Sequence, residues 1–238
     1  MNANKTMNNL INWLETKAKV ANAKGFVFGL SGGIDSAIIA GLSKKVFPDT
    51  SLGIIMPIDS IRGDEEDALL VAKALNLETK KIDLTNVFNL YKETVDADFG
   101  LALSNVKPRL RTMTLYYFAQ NNNYLVLGSS NLSEFNVGYF TKFGDSACDL
   151  MPLASFYKSE IYELARELNI PKKIIDKAPS AGLWEGQTDE NEMGVSYDEI
   201  EAYFKGLDIS EESRKKIERM HKITEHKRKF PPIFNEKE

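Results

Sequence analysis

The chain has 238 residues, 43% of them apolar, and its 34 acidic and 30 basic side chains are mixed along its length for a formal net charge of −4. That length can bury a sizeable core as one domain, whereas the balanced charge gives no electrostatic footprint for nucleic acid, so the runs Lys107-Pro-Arg-Leu-Arg111 and His226-Lys-Arg-Lys229 read as solvated faces. The lone Cys148 excludes an internal disulfide framework and fits a reducing compartment, and no apolar run resembles a signal peptide or membrane span, so a cytoplasmic protein is expected.

In chain order, Leu10, Ile11, Leu14 and Ala18 share one face of an amphipathic helix over 7–22, which packs on the domain or on a partner. A buried strand over 26–30 then turns into a helix over 34–46 through Gly29, Leu30, Ser31, Gly32, Gly33, Ile34, Asp35 and Ser36. This turn reads as a phosphate site: Gly32 and Gly33 permit close backbone approach, and Ser31 and Ser36 add hydroxyl donors at the positive end of a helix. Asp35 would repel bare phosphates, so the pattern calls for Mg²⁺ between them. No Gly-Lys-Ser/Thr follows, which argues against an ordinary P-loop kinase or GTPase; the plainer alternative is a glycine-rich turn with Asp35 at a helix start.

Strands over 52–56 and 79–82, separated by a helix over 64–75, continue the alternation and imply a parallel sheet with right-handed crossovers. The helical pattern over 98–121 should end or kink at Pro108, and a fourth strand over 124–127 closes at Gly128. If that strand lies on the other side of the first, the winding reverses between them, and ligands bind outside the carboxyl ends of strands at such a reversal. The second loop there, Gly128-Ser-Ser-Asn-Leu-Ser-Glu134, is another hydroxyl-rich turn into a helix. Asp35 and Glu134 could hold Mg²⁺ on ATP phosphates from two sides; alternatively Glu134 is a solvated residue of a first helical turn. Further on, Lys158 opens an amphipathic helix, 178–192 reads as a mobile loop, and helices over 197–205 and 211–225 follow.

Ser31-Gly-Gly-Ile-Asp-Ser36 resembles the signature of the N-type ATP pyrophosphatases, and seven further blocks narrow the resemblance. These are Asn105-Val-Lys-Pro-Arg-Leu-Arg111, Gly128-Ser-Ser-Asn-Leu-Ser-Glu134, Gly138-Tyr-Phe-Thr-Lys-Phe-Gly-Asp145, Lys177-Ala-Pro-Ser-Ala-Gly-Leu183, Gln187-Thr-Asp-Glu190, Gly194-Val-Ser-Tyr-Asp-Glu199 and Thr224-Glu-His-Lys-Arg228. Together they resemble the synthetase domain of NAD synthetases, most closely the ammonia-dependent single-domain kind. The resemblance implies a doubly wound, mostly parallel α/β sheet of the adenine nucleotide alpha hydrolase-like type with a helical C-terminal part. It runs over most of the chain and implies one synthetase domain over residues 1–238 without a glutaminase domain. The implied reaction adenylylates the nicotinate carboxylate of deamido-NAD with ATP, releases pyrophosphate, and lets ammonia displace AMP to give NAD.

By similarity, Lys158 and the hydroxyls of Ser129 and Ser180 contact ATP along with the loop from Gly29 to Ser36, while Arg109, Lys142, Asp149, His226 and Lys227 contact deamido-NAD. Lys142 and Lys158 suit the charge developing on the α-phosphate, and Asp145 stands near the ammonia position. Read without the resemblance, Lys158 could simply face solvent, Asp145 could be a turn residue, and His226 a surface residue. Ser129 and Ser180 stand where the family often has Thr, and Gly182 where several members have an acidic residue. The family forms symmetric dimers, so a homodimer is expected, with apolar faces offered by the 7–22 and 98–121 segments. The competing readings are another N-type pyrophosphatase that adenylylates a base or a tRNA, and a non-catalytic nucleotide-binding module. The latter has no need of Asp35, Glu134, Lys142 and Lys158 together.

Overall fold

In the computed structural model, residues 2–60, 62–96, 100–179 and 188–234 are described. Four strands, β1 (Gly25–Gly29), β2 (Ser51–Ile55), β3 (Glu78–Lys81) and β4 (Tyr124–Val126), form one parallel sheet in the order β3-β2-β1-β4. Among them run α1 (Ala3–Val20), α2 (Ile34–Val46), α3 (Arg62–Ala74), α4 (Thr85–Thr94), α5 (Leu101–Ser104) and α6 (Val106–Asn122). Beyond β4 come α7 (Leu132–Val137), α8 (Lys158–Glu167), α9 (Lys172–Ile175), α10 (Asp189–Met193), α11 (Tyr197–Phe204) and α12 (Glu211–Ile223), then a 3₁₀ turn at Glu225–Lys227.

The pleat of β1 explains the layers. Phe26 and Phe28 point to one face and pack with α1, α2, α3 and α8, whereas Val27 points to the other and packs with Leu103, Leu115, Ala119 and the apolar side of β2. Both faces are buried, as a parallel sheet requires. A third, smaller apolar cluster, Val137, Met193, Val195, Tyr197, Ile200 and Ile217, joins α7 to α10, α11 and α12. The winding reverses between β1 and β4, which opens the crevice at their carboxyl ends.

Several sequence expectations are corrected here. The 98–121 helix is two helices, and the break falls at Asn105 rather than at Pro108, which sits in the first turn of α6, where its missing N–H has no intrahelical partner to lose. The helix α4 has no counterpart in the expected pattern: only its Phe88 is buried, while Val87, Leu90 and Tyr91 are exposed. Residues 180–187 of the expected mobile loop, Ser180 among them, lie outside the described residues, and its end is the helix α10. The apolar face of α1 packs inside the domain through Met7, Leu10, Leu14 and Ala18, whereas α6 leaves Met113, Tyr116 and Tyr117 exposed. Lys107 is buried with its ammonium 5.3 Å from the Phe88 ring, and Arg111 donates its Nε to Met56 O at 3.0 Å, so that basic run is not a solvated face. No helix among the described residues is long and apolar enough to cross a membrane.

Candidate active site

A cavity of about 510 Å³ opens at the carboxyl ends of β1 and β4. Its first wall is the turn from β1 into α2. Gly32 adopts φ +83°, and a Cβ there would lie 2.5 Å from Asp64 O, so only glycine lets the turn rest on α3. Ser36 Oγ donates to Gly33 O at 2.9 Å and lies 3.1 Å from Ser31 Oγ, which closes the turn on itself. Gly29, Leu30, Ser31, Gly33, Ile34, Asp35 and Ser36 all line the cavity, whereas Gly32 backs it.

The second wall follows β4. Asn131 caps α7 in a capping box: its side chain accepts from Glu134 N at 3.0 Å, and Glu134 reaches back to Asn131 N. The Asn131 amide also donates to Glu134 Oε1 at 2.7 Å and to Asp35 Oδ1 at 3.2 Å, so one fully buried amide makes the two carboxylates converge. Lys158, from the start of α8, inserts between them, 2.5 Å from Asp35 and 3.7 Å from Glu134. Burial and the neighbouring Asp35 carboxylate push Glu134 up to about 8, with Lys158 pulling the other way. Burial alone would lower the Lys158 ammonium, yet the two carboxylates outweigh it and hold it protonated, raised above the ordinary lysine value.

Whether this constellation suits Mg²⁺ follows from its donors. Among the described residues no group of three or more His, Cys, Asp or Glu is placed to hold a metal. Two converging carboxylates, one of them disfavoured as an anion by its surroundings, match a cation that takes one or two protein carboxylates and completes its octahedron with phosphates and water. Asp35 and Glu134 are the residues that would hold it.

The third wall carries Asp145, whose carboxylate accepts Thr141 N at 2.7 Å. It lines the cavity with an exposed side chain, and the surrounding wall raises its carboxyl by desolvation against the hydrogen bond from Thr141 N and the pull of Lys227 and Arg111. Lys227 lines the same wall and donates to Gly138 O and Phe140 O, each at 2.8 Å. Ser129 also lines the cavity.

Arg109, Lys142 and His226 sit together outside the cavity lining. The Arg109 guanidinium donates to Lys142 O at 3.2 Å, and Lys142 Nζ donates to His226 O at 2.7 Å. Lys142 also stands 5.2 Å from the ring of Phe143, an exposed residue held at φ +60°. Asp149 lies apart from both groups: it accepts Val126 N at 2.7 Å and the Tyr116 hydroxyl at 3.2 Å, fastening the end of β4 to α6.

Sequence reasoning missed Asn131, Tyr197, Asp189 and Lys177. The Asn-x-x-Glu spacing of a capping box pointed to Asn131. Lys177 lines the cavity and binds Asp64 and Asp67, each at 2.8 Å, behind the glycine turn, and no local pattern foretells that pairing. Cys148 packs against Gly128, where a Cβ would meet its sulfur at 2.5 Å, and burial with Asp149 nearby pushes its thiol up to about 12.

Three comparisons bear on this site. The family model described as NAD synthase matches residues 6–231. An NH(3)-dependent NAD(+) synthetase of Finegoldia magna is 50% identical over 98% of this chain and 97% of its own length. Among solved structures, an NMN synthetase from Francisella tularensis matches with a TM-score of 0.95 at 40% identity, covering 99% of both chains. An NH3-dependent NAD synthetase from Campylobacter jejuni in complex with the nitrate ion matches at 0.84 and 31%, covering 99% of this chain and all of that one.

Proposed function

The chain belongs to the NAD synthase family, and from that premise we propose that it amidates deamido-NAD with ammonia at the expense of ATP, the last step of NAD biosynthesis, in the cavity between β1 and β4. The observation that carries this reading is the buried set of Asp35, Asn131, Glu134 and Lys158 at the switch point of the sheet. A carboxylate is a poor acyl donor until it carries a good leaving group. The turn from Gly29 to Ser36 supplies N–H and hydroxyl donors for the ATP phosphates, with Ser129 and Ser180 as further hydroxyls. Asp35 and Glu134 would hold Mg²⁺, which would supply positive charge to neutralise the phosphates. Lys158, fixed in the same set, faces the charge that develops on the α-phosphate as the nicotinate oxygen attacks and pyrophosphate leaves.

Arg109, Lys142, His226 and Lys227 offer a run of cationic and polar groups for the dinucleotide, which suits a pyrophosphate and a carboxylate. In the family-based assignment Asp149 belongs with them. Asp145 attracts ammonium and accepts its proton; the freed ammonia attacks the acyl-adenylate carbonyl, AMP departs, and the amide remains. Desolvation raises the Asp145 carboxyl, which makes it a better base near neutral pH. Ammonia itself is the nitrogen donor of this synthetase domain, because a half-buried Cys148 thiol pushed up to about 12 is no nucleophile for glutamine. The protein works as a cytoplasmic homodimer, with the exposed Met113, Tyr116 and Tyr117 of α6 as the apolar stripe a symmetric partner would cover.

The test incubates the protein with ATP, Mg²⁺, ammonium and deamido-NAD and identifies the products by mass. AMP, pyrophosphate and NAD are expected, and Asp35→Asn should abolish their formation. ADP with phosphate would overturn the reading. The Francisella protein's description as an NMN synthetase makes nicotinate mononucleotide the second substrate to run in parallel. Turnover of the mononucleotide alone would keep the chemistry and change the substrate.

A further inference from the structure

Beyond the cation site, one aromatic residue touches nearly every charge around it. Tyr197 opens α11 and is only 5% exposed. Its hydroxyl lies 3.1 Å from Glu134 Oε1 and 2.8 Å from Asp189 Oδ2, and its ring lies under the Lys158 ammonium at 5.1 Å. The ring belongs to the apolar cluster beneath α10, α11 and α12, so the phenol reaches the ATP side from a different part of the chain.

We infer that Tyr197 is a positioning residue for the divalent cation: its hydroxyl holds the Glu134 carboxylate turned toward Asp35 and away from direct pairing with Lys158. The geometry supplies the reason. Glu134 Oε1 has three neighbours: the Asn131 amide at 2.7 Å, the Tyr197 hydroxyl at 3.1 Å and the Lys158 ammonium at 3.7 Å. The last distance is too long for a hydrogen bond. Remove the hydroxyl, and the carboxylate is free to close on Lys158, which takes from the cation one of its two protein ligands. Groups that orient a metal ligand in this way typically change metal affinity 10- to 100-fold when lost. The inference rests on the Mg²⁺ reading above.

Tyr197→Phe tests it, because Phe keeps the packing and the ring under Lys158 and removes only the hydroxyl. Mn²⁺ binding to the protein with α,β-methylene-ATP, followed by electron paramagnetic resonance, should weaken on the order of 10-fold or more. Nucleotide affinity without metal and the KM for deamido-NAD should stay as in wild type, and saturating Mg²⁺ should restore kcat. Tyr203→Phe in the same helix, whose hydroxyl meets exposed Glu218 at 3.4 Å, is the control and should leave Mn²⁺ affinity alone. If Tyr197→Phe does not fold, fluorotyrosine at position 197, a stronger donor of similar shape, should tighten Mn²⁺ by more than about twofold. Unchanged Mn²⁺ affinity overturns the inference, as does a parallel loss in every binding constant, which would mark Tyr197 as a general support. Asp35→Asn, measured alongside, separates the two readings. If it weakens Mn²⁺ while Tyr197→Phe does not, only the role of Tyr197 falls. If neither does, the two-carboxylate site falls with it.

Discussion

Replacing Lys158 by Met leaves the volume of the buried side chain nearly intact and removes the cation that stands 2.5 Å from Asp35. Lys158 is 3% exposed, and Asp35, left without it, is only partly reached from the cavity. Breaking a buried pair by deleting one partner costs about 3–5 kcal/mol, because the other charge is left uncompensated. Asp35 keeps 18% of its side chain exposed toward the cavity, so the expected loss lies at the lower end of that range, about 3 kcal/mol. Urea unfolding of both proteins at pH 7, without nucleotide or Mg²⁺, measures it. A loss below about 1 kcal/mol would refute the reasoning from an uncompensated charge.

Glu134 gives a pH dependence. Its folded value is pushed from 4.5 to about 8, so the folded protein keeps a proton that the unfolded chain releases. Its contribution is fully present below about pH 4.5 and is lost as pH rises toward 8; thermal melts of the free protein should show this fall, and Glu134→Gln should flatten it. Asp145→Asn should still exchange pyrophosphate into ATP with deamido-NAD present while amide formation drops, and an equal drop in both would remove Asp145 from the ammonia step. Cys148→Ala should lose about 1–2 kcal/mol from the contact with Gly128 yet keep its ammonium-dependent activity; glutamine-driven synthesis that vanishes in this variant would contradict the assignment of ammonia as donor.

Three strands, β1, β2 and β4, were legible as short apolar runs between turn residues, β3 (Glu-Thr-Lys-Lys) only from the alternation of strands with helices, and the phosphate turn because its glycines, hydroxyls and Asp35 are contiguous. That β4 lies beside β1 was only a condition in the sequence; the structure meets it, and that brings Glu134 to Asp35 across 99 residues. Tyr197 and Asp189 were not legible in their roles. An aromatic residue at the start of an amphipathic helix reads as core, which Tyr197 also is, and nothing local says that its hydroxyl reaches another element. Lys107 and Arg111 were misread for the reverse reason: charge predicts exposure on average, but Lys107 lies under Phe88 and Arg111 binds the end of β2 through Met56 O, contacts made by chain segments far away in sequence. Arg109, Lys142 and His226 illustrate a third case, in which residues from three separated blocks meet through backbone carbonyls that no sequence pattern marks.

The placement of β1 in the middle of the sheet also sets an order of events during synthesis. β1 pairs with β2 about 25 residues on, Phe26 with Ser51, but with β4 about 99 residues on, Gly25 with Tyr124. Asp35 meets Lys158 at a separation of 123 residues. At about 5–20 residues per second, the stretch between Lys81, where β3 ends, and Tyr124, where β4 begins, takes a ribosome roughly 2–9 s to make. Through that interval the three-stranded half can exist with one edge of β1 unpaired, a site where a second nascent chain can add. The phosphate turn is complete in this half, but the residues that balance Asp35 are not yet made. A growing chain therefore acquires its binding site only when the edge is closed, and incomplete chains neither hold nucleotide nor gain the stability that nucleotide confers.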